Sequence, residues 1–432
     1  MTDLLLEHKK SGQPGVYARF AANETQGCWR EALQHVEHAM KARNADMFAR
    51  SGSLDEANSF VVGRVAHLHA CLADLDRLRA HGRFCLKNQL VTLREMLAGL
   101  GEAHSAHSTA LLLRDRGVNA VFVDLTLWSQ DDLMPLDERI RTALAPIDLT
   151  TQMPIVTGYA GCEDGMVKRY ARGYSEMTFS RIAVLTGARE AIIHKEFHLS
   201  SADPKLVGVD KARKIGRTNY DVADQLANLG MEAIHPRAGR GLRQAAIPLR
   251  VRNTFDRLDG GTLICGDYVT NTPRVEIVTG LRQVHALQFF EQDMVGEKGF
   301  DAAILQTLTR HGAWIVSKSS NANTITHYLS SDAETVARIV SDLQDAYPAS
   351  AITSQPVAMV SVIGSDISQP GLVPRALIAL DEAGVPMIAM QHQIRNVDVQ
   401  FIVARDRFDD AARALHRALI ERPVESDARA AA

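Results

Sequence analysis

The stretch Ile247-Pro248-Leu249-Arg250-Val251-Arg252-Asn253-Thr254-Phe255 is a short β-rich run, Ile247 to Val251, that passes directly into polar residues. Runs of the same kind lie upstream at Val118 to Val123, Met153 to Tyr159 and Ala191 to His194, with helical segments between them. Short strands alternating with helices predict an α/β domain on a largely parallel, buried sheet. Gly158, Gly161, Gly165 and Gly173 follow one of these strands, where open α/β sheets hold their ligands.

Toward the N-terminus the texture is helical. Phe60, Val61, Val65, Leu68, Leu72, Leu75 and Leu78 recur at helical steps and mark one face of an amphipathic helix over Leu54 to Leu78. Trp29, Leu33, Val36 and Met40 give residues 15–45 the same character. After Asp267 the composition changes, and Val275 to Leu281 opens a region of two similar α+β units. In the first, a loop at Met294 to Gly299 leads to a helix at Phe300 to Arg310 and a strand at Ala313 to Ser317. The second has strands at Val357 to Ile363 and Pro386 to Met390, with the helix Leu372 to Ala383 between them. Val397, Val399, Phe401 and Val403 then alternate as a half-buried strand, and Asp409 to Leu419 closes the unit as a helix.

Composition narrows the function classes. The 432 residues are 46% hydrophobic, enough for two or three cores, and 48 basic against 51 acidic side chains leave a net charge of -3. That balance makes no electrostatic case for nucleic acid or an anionic membrane, so small molecules and other subunits are the expected partners. Apolar runs such as Ala302 to Leu308 are far shorter than the ~20 residues of a spanning helix, and no apolar signal region follows Met1, so a cytoplasmic location is expected. Cys28, Cys71, Cys85, Cys162 and Cys265 form no CxxC pair and read as reduced thiols. His67, His69 and Cys71 stand two apart in a helical stretch, which points them away from one another, so no metal site is expected there.

Three motifs late in the α/β region carry a resemblance. Ile234-His235-Pro236-Arg237, then Val251-Arg252-Asn253-Thr254-Phe255, then Gly261-Thr262-Leu263-Ile264 are similar, in order and spacing, to elements of the aspartate kinases of the amino-acid kinase family. The match runs over nearly the whole chain. It implies an α/β fold: a kinase-type αβα sandwich with a mainly parallel sheet over residues 1–268, lacking its first strands and glycine loop. Two α+β (βαββαβ, ACT-like) modules follow over 274–348 and 356–424, the strand 275–281 completing the second.

The resemblance also implies a site. Gly101-Glu102, with Ser105 and Ala106, looks like the family's GE-x-x-S segment, whose glutamate receives the substrate amino group. A carboxylate at a helix start suits an α-ammonium, and Glu102 is expected just before a helix. His104 and His107 share a helical face and are expected to line a pocket or the surface. Arg172-Gly173-Tyr174-Ser175-Glu176 resembles an Arg-Gly-Gly-Ser-Asp segment. Arg172 would grip the α-carboxylate as a bidentate fork, with Ser175 beside the reacting carboxylate; Arg172, Ser175 and Glu176 form the expected catalytic set, and Thr2 joins Glu102, Arg172 and Ser175 in holding substrate. Tyr174 departs from the family's glycine, and its backbone cannot approach a ligand as glycine would.

Ser200-Ser201-Ala202-Asp203-Pro204 resembles the family's adenosine loop, which makes Ser200, Ser201, Asp203 and Pro204 the expected nucleotide contacts. Upstream, His194-Lys195-Glu196-Phe197-His198 replaces the usual Thr-Asp-Val-Asp-Gly, and Glu232 stands where many members have lysine. Lys195, Lys214 or Arg217 could supply the cation for the triphosphate. This pattern resembles a branch associated with ectoine synthesis. Met1-Thr2-Asp3-Leu4-Leu5 looks like the tail of a Ser-Gly-x-Thr-Asn/Asp segment, so the preceding strand and Lys-Phe-Gly-Gly phosphate turn are expected to be missing, through a start codon placed too far downstream. Donors of that kind are each worth ~2.7 to 4 kcal/mol at a transition state.

The reaction so implied is Mg2+- and ATP-dependent phosphorylation of the β-carboxylate of L-aspartate, the first step toward aspartate-family amino acids or ectoine. Met294, Gly299, Phe300, Asn321 and Asn323 are the expected contacts for an effector such as lysine or threonine, and the ACT-like pair would support a homodimer or higher oligomer. A catalytically silent regulatory protein, or a kinase for another acidic amino acid such as N-acetylglutamate, are the alternatives.

Overall fold

Apolar residues at helical spacing close into three long helices, and these organise the first of two units, Met1–Ala188, of the computed structural model. The structure describes residues 2–8, 11–22, 27–126, 134–163, 165, 166, 173–231 and 233–421. Short helices α1 (Thr2–Leu5) and α2 (Val16–Ala22) precede α3 (Cys28–Met47), α4 (Leu54–Ala80) and α5 (Lys87–Arg114). Leu5, Phe20, Trp29, Leu33, Val36, Met40, Val65, Leu72, Leu93, Leu97 and Leu100 form their common core. Burying a leucine or phenylalanine fully stabilises by roughly 1.5–3 kcal/mol, so this stripe holds the bundle together.

Two parallel strands lie against α5: β1 (Ala120–Val123) and β2 (Met153–Val156), paired from Ala120–Met153 to Val123–Val156, with α6 (Leu136–Leu144) between them in sequence. β2 ends earlier than the expected Tyr159 because Thr157 turns the chain. Its Oγ1 accepts from Leu125 N–H at 3.0 Å and donates to Tyr159 C=O at 2.8 Å. This ties together the C-terminal ends of both strands, and α7 (Tyr174–Leu185) follows.

The second unit, Arg189–Ala432, carries two sheets. The smaller comprises β3 (Ala191–Lys195), β4 (Arg217–Asn219), β5 (Leu249–Asn253) and β6 (Thr262–Cys265), in the order β3-β5-β6-β4. β3–β5 and β4–β6 are parallel and β5–β6 is antiparallel, so β5, which carries the Val251 run, is an inner strand. Helices α8 (Pro204–Val207), α9 (Tyr220–Asn228) and α10 (Pro236–Gln244) connect these strands.

The larger sheet is antiparallel. Its elements are β7 (Ile277–Phe290), α11 (Phe300–Arg310), β8 (Ile315–Ser320), β9 (Thr324–Leu329), α12 (Ala333–Ala346), β10 (Ala351–Ile363), α13 (Leu372–Glu382), β11 (Met387–His392), β12 (Asp398–Ala404) and α14 (Phe408–His416), with a π-turn at Arg417–Glu421. The strand order is β11-β12-β10-β7-β9-β8. The strand expected at 275–281 continues to Phe290, and the one expected at 357–363 begins at Ala351; the two pair along their whole length, apart from a bulge at Val357/Met359. The repeated units are therefore two halves of one continuous sheet. Leu287, Phe289, Ile325 and Leu329 pack on Ile304 and Leu308 of α11 and on Val336 and Ile339 of α12. Val360, Val362, Val399 and Phe401 pack on Ala376 and Leu380 of α13 and on Ala411 and Leu415 of α14. The opposite face, through Ile277, Val284, Val357 and Met359, takes Val222 and Leu226 of α9. No helix among the described residues is long and apolar enough to cross a membrane.

Candidate active site

Glu102 lies in the middle of α5, not ahead of a helix start as expected. The apolar residues Leu93, Leu97 and Leu100 anchor the helix ahead of it, so Gly99 and Gly101 do not interrupt it. Mid-helix, Glu102 lies beyond the reach of the helix-terminal dipole, and the side chain's neighbours decide its chemistry. Burial raises the carboxyl above its ordinary range, opposed by hydrogen bonds from Tyr174 O–H and Tyr159 N–H. Among the described residues no salt bridge partners it. Gly158 makes room for it: a Cβ there would stand 2.2 Å from Glu102 Oε2 and 2.9 Å from Ser175 Cβ. Glu102, Ser175 and the turn after β2 thus converge.

Two tyrosines wall this site. Tyr159 and Tyr174 meet edge to face at 5.7 Å, and Tyr159 O–H donates to Glu95. Gly99 accommodates the Tyr159 ring, whose Cδ1 would lie 2.9 Å from an added Cβ. Glu95, Gly99 and Glu102 stand at i, i+4 and i+7 on one helical face. Two carboxylates on one face of α5, seven residues from one another, are the signal by which Glu95, missed in the sequence, could have been found. Gly173 caps α7 in the left-handed region at φ 79°, so Tyr174, Ser175 and Glu176 form its first turn, where N–H groups lack intrahelical partners. Thr2 begins α1, whereas Arg172 and Glu232 fall outside the described residues.

His104 and His107, expected to line a pocket or the surface, pack against other elements of the first unit. His104 is buried, 2.7 Å from Asn44 Oδ1, and burial lowers its pKa to about 4. His107 stacks on Phe60 at 4.1 Å. His104 is thus a satisfied core residue, whereas His107 is half-buried between the rings of Phe60 and Phe122.

In the second unit the 200–204 loop is folded by its own side chains. Ser200 O–H donates to Ala202 C=O at 2.8 Å, Asp203 caps α8 by accepting from Lys205 N–H at 2.9 Å, and Pro204 opens that helix. Ser201 is 1% exposed, with Oγ 2.9 Å from His416 Nε2. Of the candidate cations, Lys214 bridges Asp256 at 3.1 Å and Asp259 at 2.9 Å, which holds both carboxyls below their usual range. Arg217 lies 3.3 Å from Cys265 Sγ, over the Tyr268 ring. Lys195 ends β3, its C=O accepting from Thr254 N–H. His198, Asp256 and Asp259 are close enough to share an ion, but the Lys214 ammonium already sits on both carboxylates, so the cluster does not fit a divalent cation. His235 and Asn253 close turns, accepting from Arg237 N–H and Phe255 N–H.

The expected effector residues divide between the two faces of the large sheet. Met294 and Phe300 lie on its helical side, Met294 in the core and Phe300 against Phe289 and Tyr347; Gly299 caps α11 at φ 107°. Asn321 accepts from Asn323 N–H and Thr324 N–H in the β8–β9 turn. It also lines a concavity of about 580 Å³ on the other face, among Gln288, Thr326, Tyr328, Thr353 and Gln355.

With this geometry the sequence comparison agrees: residues 29–253 match the amino acid kinase family, and the chain belongs to that family. It is 48% identical over 432 residues to the aspartate kinase Ask_Ect of Stutzerimonas stutzeri, covering all of this chain and 91% of that one. The aspartokinase of Geobacillus stearothermophilus is 27% identical, over 75% of this chain and 81% of its own. Among solved structures, E. coli aspartokinase III in complex with lysine and aspartate superimposes with a TM-score of 0.70 at 18% identity, over 94% of this chain and 91% of that one, which establishes the shared fold.

Proposed function

We propose that the chain is an aspartate kinase of the ectoine-associated branch, transferring the γ-phosphoryl group of ATP, as its magnesium complex, to the β-carboxylate of L-aspartate. The observation that carries this reading is the Glu102 carboxylate. It is half-buried and hydrogen-bonded by Tyr174 and Tyr159, with no cation beside it among the described residues. A desolvated carboxylate of this kind favours a cationic partner, and a substrate ammonium supplies one. The 48% identity to Ask_Ect over the whole chain supports aspartate as the bearer of that ammonium.

Each residue then has a part. Glu102 receives the ammonium, Arg172 and Thr2 complete the grip on substrate, and Ser175 with the first-turn N–H groups of α7 orients the β-carboxylate beside Glu176. A carboxylate oxygen attacks the γ-phosphorus, the bond to the β,γ-bridging oxygen breaks, and 4-phospho-L-aspartate and ADP result. No side-chain nucleophile is needed, so positioning and charge stabilisation are the protein's contribution. The nucleotide is assigned to Ser200, Asp203 and Pro204, with Ser201, expected as a further contact, instead supporting the loop from inside, because its hydroxyl and both its backbone groups are engaged within the protein. Residues 1–268 would form the catalytic portion, with regulatory modules at 274–348 and 356–424. Met294, Gly299, Phe300, Asn321 and Asn323 are proposed to sense an amino acid such as lysine or threonine, in a homodimer or larger assembly.

ADP release with ATP and L-aspartate, with hydroxylamine present to trap the acyl phosphate, tests this. The expected product is aspartyl β-hydroxamate in step with ADP. ADP release stimulated by N-acetylglutamate and not by aspartate, or effector binding with no ADP release, would overturn it.

A further inference from the structure

Ser201, His416 and Glu421 form a hydrogen-bonded line inside the second unit. Ser201 Oγ lies 2.9 Å from His416 Nε2, and His416 Nδ1 lies 2.9 Å from Glu421 Oε1. Ser201 Oγ already accepts from Arg213 N–H, so the arrangement that satisfies every group has Ser201 O–H donating to Nε2 and Nδ1–H donating to Glu421. The connectivity is that of a serine hydrolase's triad, but Ser201 is 1% exposed and His416 0%. Ser201 Oγ also accepts from Arg213 N–H at 2.9 Å. No carbonyl substrate can reach that oxygen, so the trio is not a nucleophilic site.

Its meaning lies in what it joins. Ser201 belongs to the 200–204 loop, and its backbone is fixed as well: its N–H donates to Arg213 C=O at 2.8 Å and its C=O accepts from Val278 N–H of β7 at 2.7 Å. His416 is the last residue of α14, and Glu421 ends the π-turn beyond it. Two further bonds run in parallel, from Arg413 Nε to Leu206 C=O at 3.0 Å and from Arg213 to Glu421 C=O at 3.4 Å. One buried serine therefore links the loop, the first strand of the large sheet and its last helix. Such a network holds a single geometry while every member is satisfied, and losing one member leaves a buried polar group unpaired.

We propose that His416 is a positioning residue for nucleotide binding, setting the 200–204 loop through Ser201, and that the state of the C-terminal helix reaches ATP affinity by this bond. The proposal rests on reading 200–204 as the nucleotide loop. It calls for no contact between His416 and either substrate.

Steady-state kinetics of the full chain, with thermal melts, test it on His416→Asn, His416→Gln, Ser201→Ala, the Ser201→Ala/His416→Asn pair and Asp203→Ala. Asparagine can keep the Glu421 bond but cannot reach Ser201, whereas glutamine extends to the Nε2 position. The expected result is a KM for ATP raised about tenfold in His416→Asn, with kcat and the KM for aspartate within about twofold. His416→Gln restores most of the loss, and the double variant is no worse than the worse single one, because both changes break one bond. An unchanged KM for ATP in His416→Asn while Asp203→Ala raises it, or additive effects in the double variant, overturns the link. If Asp203→Ala, Ser201→Ala and His416→Asn all leave it unchanged, the nucleotide reading of the loop itself falls. Should His416→Asn not fold, Ser201→Ala decides, and a native KM for ATP there overturns the proposal.

Discussion

Glu102 Oε2 lies so close over Gly158 that a methyl group on residue 158 would stand 2.2 Å from it. Thr157 fixes the turn that carries Gly158, through its bonds with Leu125 and Tyr159. Gly158→Ala must displace the carboxylate from its place between Tyr174 and Ser175. A misplacement of this size at a reacting group costs on the order of 100-fold. We expect kcat/KM for aspartate to fall by about that factor with the melting temperature nearly unchanged, measured by ADP release and calorimetry.

Tyr174 donates to Glu102, and that hydrogen bond favours the charged carboxylate against the burial that disfavours it. Removing it in Tyr174→Phe raises the Glu102 pKa further. Activity requires the ionised form, so the acidic limb of the kcat/KM–pH profile moves to higher pH in Tyr174→Phe and disappears with the activity in Glu102→Gln. An acidic limb unmoved in Tyr174→Phe would show that Glu102 does not govern it.

His327 is fully buried in β9, neither ring nitrogen makes a hydrogen bond, and its pKa is lowered to about 4. Burial is the main cause and the Lys318 ammonium adds to it, while Asp301, 3.9 Å from Nε2, opposes. The folded pKa lies below the unfolded value of 6.5, so the unfolded chain takes the proton first. Stability is full above pH 6.5 and is lost as the pH falls toward 4, by about 2 kcal/mol at pH 5. His327→Leu removes this dependence. Its melting temperature, relative to the native chain, should be higher at pH 5 than at pH 8.

Gly280 of β7 sits where an added Cβ would meet the Met359 carbonyl oxygen at 1.9 Å. Both atoms belong to the long strands that hold the two halves of the large sheet together. Gly280→Ala should destabilise the second unit by about 3 kcal/mol, the upper end for overpacking. That corresponds to roughly 6 to 12 °C in a differential scanning trace.

Much of this was legible because local pattern and tertiary role agreed. The helix at Phe300–Arg310 appears with the expected bounds, and Val251 lies on an inner strand. The full length of β7 and β10 was hidden by chemistry. The bulge between Val357 and Met359 breaks the alternation, and Pro356, opposite His285, reads as a strand breaker. At the site, Gly99 looks like a helix interruption in sequence, whereas it makes room for Tyr159. His104 finds its partner in Asn44, sixty residues away on another helix, and spacing along one chain segment carries no trace of such a pairing.

The most direct test of the Glu102 site is calorimetric binding of L-aspartate and of succinate, which lacks the ammonium, to the native chain and to Glu102→Gln. We predict that the native chain binds aspartate and not succinate, and that Glu102→Gln loses at least about tenfold in aspartate affinity, the worth of a charge-assisted pair. Equal binding of the two ligands, or aspartate affinity unchanged in Glu102→Gln, would contradict the assignment of Glu102 to the substrate ammonium.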